Sequence, residues 1–130
     1  MKQMNPFQII GAKNKKIIIV DDEERILDML GAVLTNLGFK ITKANSGKKA
    51  LTILEHSSFH IALVDIVLGD ITGIHVLDRI KTLYPDCVVI MISGYATVEN
   101  AIEAMRYGAD NYLVKPFELK ELIDILKQYV

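Results

Sequence analysis

Four of the five short apolar segments in this 130-residue chain end directly in a polar or charged residue. The four endings are Asp21 and Asp22 after IIIV, Asp65 after IALV, Ser93 after VVIMI and Lys115 after YLV. Three carboxylates in one crevice repel one another, so they either raise their pKa values or bind a cation. Oxygen ligands in a partly open pocket suit Mg²⁺. A hydroxyl and an ammonium beside them complete the parts of a phosphoryl-transfer site.

Asp65 is the best candidate for a carboxylate nucleophile in such a site, because it stands alone at the end of its segment. The adjacent acids Asp21 and Asp22 are better suited to metal binding. Each residue taken singly also has an ordinary explanation as a turn, a helix cap or a solvated lysine. The coincidence at four segment ends is harder to attribute to turns, and it predicts one shared site.

The elements that must position these residues alternate between short β-branched runs and longer segments of helical period. Strands are predicted at 16–20, 39–44, 60–64, 87–92 and 111–114, with helices at 26–37, 46–56, 74–83, 97–107 and 118–129. Strands that are apolar on both faces indicate a parallel sheet covered by helices on each side. The predicted fold class is therefore α/β, a (βα)₅ doubly wound three-layer sandwich of the flavodoxin-like type.

Strand order 2-1-3-4-5 suits five such units, and it makes the first and third strands neighbours. Ligands of open parallel sheets bind outside the carboxyl ends of the strands, near the point where the strand order reverses. This order predicts that Asp21, Asp22 and Asp65 converge, with Ser93 and Lys115 beside them.

The composition predicts a single soluble, cytoplasmic domain. The formal net charge of −1 at pH 7 argues against a general nucleic-acid binder. A single cysteine, Cys87, excludes an internal disulfide and a multi-cysteine zinc site. No apolar run reaches the ~18 residues that a membrane span needs. Residues 1–14 have no sustained period and are predicted to be an N-terminal tail, which leaves 15–130 as the folded domain.

Over residues 15–130 the chain resembles the receiver domains of response regulators in two-component signalling, the CheY-like superfamily. The resemblance is carried by IIIVDDEE, IALVDIVLGDITG, VVIMISGYATVENAIEAMRYGAD and NYLVKPF, in this order and spacing. The run from Ser93 to Phe117 is most similar to NtrC-type receivers, which precede an ATPase-type transcription activator. The resemblance implies a phosphorylation-activated signalling switch and makes transcription regulation an expected output.

The resemblance also implies the site. Asp65 would accept a phosphoryl group from a phosphohistidine on a sensor histidine kinase or a phosphotransfer protein, assisted by Ser93 and Lys115. Because its own side chain is the acceptor, the domain is not expected to be an enzyme acting on an external substrate. Mg²⁺ would be held by Asp22, Asp65 and the backbone carbonyl of Val67. Asp21 would act mainly through metal-bound water, and the peptide bond that follows Lys115 is expected to be cis.

The resemblance also implies that Ser93 and Tyr112 would transmit the effect of phosphorylation at Asp65 to the surface of the domain. A phosphate on Asp65 would draw Ser93 inward, and Tyr112 would fill the space behind it. This movement would change the surface of the fourth helix, the fifth strand and the fifth helix. That surface would control an output domain or partner protein, or a phosphorylation-dependent homodimer. The ordinary alternative for Tyr112 is a half-buried strand aromatic with a solvated hydroxyl.

Gly69 stands where the resemblance leads us to expect proline, and we expect it to loosen the loop without changing the chemistry. Three rival functions fit the sequence less well. Phosphatases of the haloacid-dehalogenase type carry D-x-D after the first strand, which Asp21-Asp22-Glu23 does not match. A flavin module needs a glycine-rich phosphate loop, and DDEER would repel phosphate. A degenerate receiver would not retain all five site residues.

Overall fold

The computed structural model describes residues 11–94 and 97–130. The strands are β1 (Lys16–Val20), β2 (Lys40–Ala44), β3 (Ile61–Asp65), β4 (Val88–Ser93) and β5 (Asn111–Val114). The helices are α1 (Glu24–Asn36), α2 (Gly47–Leu54), α3 (Gly73–Leu83), α4 (Val98–Arg106) and α5 (Leu119–Lys127). The sheet has the order β2-β1-β3-β4-β5, and every pairing is parallel. The predicted fold class and strand order are confirmed.

The sheet separates two apolar cores. Because successive side chains of a strand point to opposite faces, Ile17 and Ile18 of β1 enter different cores. Ile17 packs with α1 and α5, through residues such as Leu122, whereas Ile18 packs with α2 and α3, through residues such as Leu77. This arrangement produces the three layers. Within the described ranges, no helix is both long enough and apolar enough to cross a bilayer.

Polar caps and glycines set the ends of the helices. The side chains of Ser46, Thr72 and Thr97 each accept a hydrogen bond from the backbone amide three residues further on, at the start of α2, α3 and α4. Gly108, with φ of +97°, lies in the left-handed region just beyond α4. The predicted end of α2 at residue 56 was wrong. The helix ends at Leu54, and the next residues form a turn.

Two strands extend one residue further than predicted, and both extensions involve site residues. Asp65 pairs with Ile92 in the ladder between β3 and β4. Ser93 pairs with Val114 of β5, and its carbonyl accepts a hydrogen bond of 2.9 Å from the amide of Lys115. The sheet therefore fixes the backbone of both site residues. The Lys115–Pro116 peptide bond is cis, as expected.

Only residues 11–14 of the expected N-terminal tail lie in the described part of the chain. Ala12 is fully buried in the core beneath α1 and α5, and its carbonyl accepts a hydrogen bond of 2.9 Å from the amide of Lys15. This short segment therefore packs against the domain.

Gly73, the first residue of α3, brings that helix against the end of β3. A Cβ atom built on Gly73 would overlap the backbone carbonyl of Asp65, which cannot move without distorting the strand. We expect Gly73→Ala to lower the free energy of unfolding by about 1–3 kcal/mol, as overpacking typically does. The unfolding midpoint in urea measures this loss.

Gly31→Ala is the matched control, because Gly31 lies inside α1 and a Cβ there would meet the flexible side chain of Lys43 at 3.3 Å and Ile41 Cγ2 at an ordinary 3.9 Å. Alanine favours a helix interior by about 0.5–1 kcal/mol over glycine, so this variant should be neutral or slightly more stable. Equal losses in both variants would contradict the steric explanation for Gly73.

Candidate functional site

The carboxyl ends of the two central strands bring three acidic residues together. Val20 and Val64 are register partners, so Asp21 and Asp65 follow neighbouring positions of β1 and β3. Asp21, Asp22 and Asp65 each offer a carboxylate oxygen, and these three oxygens all lie within 4.8 Å of one another. Residues separated by more than 40 positions thus form one acidic cluster.

Lys115 joins this cluster from the end of β5. Its ammonium donates hydrogen bonds to Asp21 Oδ2 at 2.8 Å and to Asp65 Oδ2 at 2.9 Å. It also lies 3.7 Å from Glu23 Oε1. Glu23 was not among the predicted site residues. Its position directly after the acidic pair was the available signal, but only the fold shows that its side chain turns towards the lysine.

The predicted residues Ser93 and Val67 flank Asp65. Ser93 is buried at the end of β4, one position beyond the register partner of Asp65. The amide of Val67 donates a hydrogen bond of 3.1 Å to Asp65 Oδ1. Asp65 Oδ2 accepts from Lys115, so both oxygens of this carboxylate are held in place. The two residues after Gly94, at 95–96, lie outside the described ranges.

The Asp65 carboxylate opens into a cavity of about 220 Å³. The cavity is lined by Asp22, Glu23, Asp65, Val67, Gly94 and Lys115. Asp21 does not line it and is only 2% exposed, whereas Asp22 is exposed at the rim. The two adjacent acids therefore have different environments, one buried behind the lysine and one open to solvent.

Burial and charge act against each other at the site. Burial raises the pKa of Asp65, and the hydrogen bonds from Lys115 and Val67 offset this only in part. For Lys115, burial alone would lower the pKa. The hydrogen bonds to Asp21 and Asp65 outweigh burial, so the pKa of the ammonium is raised and the lysine stays charged at neutral pH.

The acidic cluster has the donor set that a hard divalent cation requires. Four carboxyl groups, from Asp21, Asp22, Glu23 and Asp65, lie around the single ammonium that the described residues bring to them. A divalent cation would relieve the repulsion that remains. Oxygen ligands in a partly open pocket match the preferences of Mg²⁺, which keeps several of its waters.

Tyr112 lies behind Ser93 in the sheet. Its register partner is Met91, which is two positions before Ser93 and therefore on the same face of β4. The phenol ring packs against the core under α2 and α3. Its hydroxyl oxygen is buried, and it has no hydrogen-bond partner among residues 11–94 and 97–130. The alternative of a solvated hydroxyl was therefore wrong for this conformation, because the ring is packed with its polar end inside.

Comparison with known proteins assigns the family. The family model described as the response regulator receiver domain matches residues 17–127. The chain belongs to the response regulator receiver domains. The transcriptional regulatory protein ZraR of Escherichia coli is 36% identical over 109 residues, which cover 84% of this chain and 25% of ZraR. The chain thus spans about a quarter of the length of the curated relatives it matches.

Solved receiver structures share the fold. A CheY-like receiver domain protein from Methanospirillum hungatei has a TM-score of 0.86 and 34% identity, covering 89% of this chain and 93% of that one. A response regulator from Burkholderia pseudomallei has a TM-score of 0.80 and 29% identity, covering 85% of this chain and 65% of that one. That protein carries a phosphorylated aspartic acid, a calcium ion and citrate. Membership of the family disfavours the phosphatase and flavin alternatives.

The lysine of this receiver domain neutralises buried carboxylates, so its loss should destabilise the fold. Lys115→Met leaves Asp21 and Asp65 facing each other without a cation. We expect this variant to lose about 1–3 kcal/mol of unfolding free energy when divalent cations are absent. Chemical denaturation in a chelating buffer measures the loss.

Lys43→Met is the control, because Lys43 and Asp28 form an ion pair whose side chains are 46% and 70% exposed. Exposed pairs contribute less than about 1 kcal/mol. A Lys115→Met variant as stable as Lys43→Met would show that the buried ion pairs do not support the fold.

Proposed function

We propose that this receiver domain is a phosphorylation-activated switch in which Asp65 accepts a phosphoryl group from the phosphohistidine of a sensor histidine kinase or a phosphotransfer protein. One observation carries the proposal. The Asp65 carboxylate lies at an open cavity with an ammonium 2.9 Å away and two further carboxylates close enough to share a cation. These are the nucleophile, the positive charge and the metal ligands that phosphoryl transfer to a carboxylate needs.

In the proposed transfer, an Asp65 oxygen forms the new bond to phosphorus while the bond between phosphorus and the donor imidazole nitrogen breaks. The imidazole leaves with its electron pair and takes up a proton. Lys115 already bonds Asp65 Oδ2, so its ammonium lies where the phosphoryl oxygens arrive and can transfer its hydrogen bond to them. Ser93 would supply a hydroxyl to the same oxygens. The domain serves as the acceptor and is not proposed to be an enzyme acting on an external substrate.

The proposed cofactor is Mg²⁺. Asp22, Asp65 and the Val67 carbonyl would hold it, with Asp21 acting through a water. Bound Mg²⁺ would supply positive charge to the phosphoryl oxygens during transfer. The arrangement of the acids supports this division, because Asp22 is exposed at the rim whereas Asp21 is buried against Lys115.

The proposed output surface is formed by α4, β5 and α5. A phosphate on Asp65 adds negative charge and strong acceptors, which would draw Ser93 towards it and bias the packing of Tyr112 behind. Three apolar side chains of α4 are more than half exposed: Val98 at 73%, Ile102 at 54% and Met105 at 55%. An apolar surface of this kind suits a switchable contact with an output domain, a partner protein or a second copy of the domain.

We propose that residues 15–130 are the receiver unit and 1–14 an N-terminal tail, and that the domain works in the cytoplasm. We propose no direct contact with nucleic acid or membrane, which the net charge of −1 supports.

The first test is phosphorylation by a small phosphodonor. Incubation with phosphoramidate and Mg²⁺ should add the mass of one phosphoryl group to the intact protein, because the acceptor and its lysine are already in place. Asp65→Asn should abolish the addition. Asp78→Asn, which alters an exposed acid of α3, should behave like the wild type. Phosphorylation that survives in Asp65→Asn would refute Asp65 as the acceptor.

The second test separates the switch from the chemistry. Tyr112→Ala should leave Asp65 phosphorylation intact but abolish the phosphorylation-dependent change in amide exchange of α4. Tyr112→Phe should be slightly more stable than wild type, because it removes a hydroxyl that is buried without a partner among the described residues. Loss of phosphorylation itself in Tyr112→Ala would contradict the switch role.

A further inference from the structure

Asp70 connects the loop after the acceptor aspartate to a different helix. The loop, residues 66–72, runs from the end of β3 to the start of α3. Asp70 Oδ1 accepts a hydrogen bond of 3.0 Å from the amide of Gly47, and Oδ2 accepts one of 2.9 Å from the amide of Lys48. These amides belong to the first turn of α2, where backbone donors have no partner within the helix.

Steric contact reinforces these bonds. A Cβ atom built on Gly47 would overlap the side chain of Ile71, so only glycine lets the start of α2 approach the loop this closely. Ile71 in turn packs, half-buried, against the core under α2 and α3. The loop and the helix therefore meet through two hydrogen bonds and one apolar contact in consecutive loop residues.

Part of the loop is already held, because Ile66 and Leu68 are buried and Val67 forms an antiparallel bridge with Thr72. The turn between these anchors needs a further contact, because its backbone is permissive. Gly69 has φ of +84°, in the left-handed region that glycine enters at little cost and leaves as easily. Val67 is 45% exposed, so its side chain offers little packing to hold the segment down. The same segment carries the amide that bonds Asp65 Oδ1 and the carbonyl proposed as a metal ligand.

We infer that Asp70 is a positioning residue of the phosphorylation site, which fastens the 66–72 loop to α2 and so holds the backbone of Val67 in place beside Asp65. The inference rests on the proposed function. Without the fastening, metal binding would have to order the turn at residues 69–71 as well, and its affinity would fall. The bonds from the amides of Lys48, Ile71 and Gly47 lower the pKa of Asp70 to about 2, so the carboxylate keeps its charge near neutral pH.

Asp70→Ala compared with Ser46→Ala tests this role. Both variants remove a side-chain cap of the same helix, but Ser46 bonds the amide of Lys49 within its own element, whereas Asp70 spans two elements. The measurements are the Mg²⁺ dissociation constant, the rate of phosphorylation by phosphoramidate and amide exchange of the 66–73 segment without metal.

We expect Asp70→Ala to weaken Mg²⁺ binding about fivefold, the scale of one net hydrogen bond, and to speed amide exchange across the 66–73 segment. Ser46→Ala should loosen α2 but leave the loop and the Mg²⁺ affinity unchanged. The weaker Mg²⁺ binding of Asp70→Ala should persist at high salt, because salt does not screen an effect on the position of the loop. A loss that disappears at high salt would identify simple charge attraction and overturn the inference.

Phosphorylation of the wild type tests the proposed function, whereas Mg²⁺ affinity and amide exchange in the variants test the positioning role of Asp70. If the wild type takes up no phosphoryl group, the proposed function fails, and the role of Asp70 in that reaction falls with it. If the wild type is phosphorylated but Asp70→Ala matches Ser46→Ala in Mg²⁺ affinity and in loop exchange, the positioning role alone is refuted.

Discussion

The bonds from the Lys115 ammonium to two buried carboxylates are the interaction on which the rest of the site depends. They join residues 94 and 50 positions apart in sequence, so they exist only if β1, β3 and β5 end at the same edge of the sheet. Without this cation, the acids at the edge would repel one another in a partly dry environment, where charge is costly to bury. The lysine thus offsets part of the electrostatic cost of burying these carboxylates.

The same contacts bear on how the proposed function would use one small cavity. The oxygens of Asp65 are held by a backbone amide and by an ammonium, and the ammonium ends a flexible side chain that can change acceptors more easily than the backbone can. In the proposed function, a divalent cation would share the carboxylates with Lys115, and a phosphoryl group would offer the lysine a new acceptor. Each change would exchange ionic contacts at the cavity, while Ser93 and Tyr112 would carry the adjustment into the packing behind it.

The features that depend on local sequence pattern could be predicted from the sequence. The alternation of apolar runs and helical stretches was enough for the fold class, and the polar endings of the strands were enough to bring Asp21 and Asp65 to one edge. Contacts made by residues that do not end a strand were not predictable. Nothing local shows that Asp70 bonds the amides of α2, or that Glu23 turns towards Lys115. The Tyr112 hydroxyl was misjudged for a related reason, since its burial depends on how the ring packs against the core under α2 and α3.

Glu23 stands at the mouth of the cavity with 62% of its side chain exposed, and it adds a fourth negative group to an already acidic entrance. Like charges raise the barrier to free anions that diffuse in from solution. A docked protein can offset that barrier with basic residues on its own surface, which a dissolved metabolite cannot do. In the proposed function, this negative charge would slow transfer from free phosphorylated small molecules relative to transfer from a docked kinase, so it would favour the protein phosphodonor without excluding the small one.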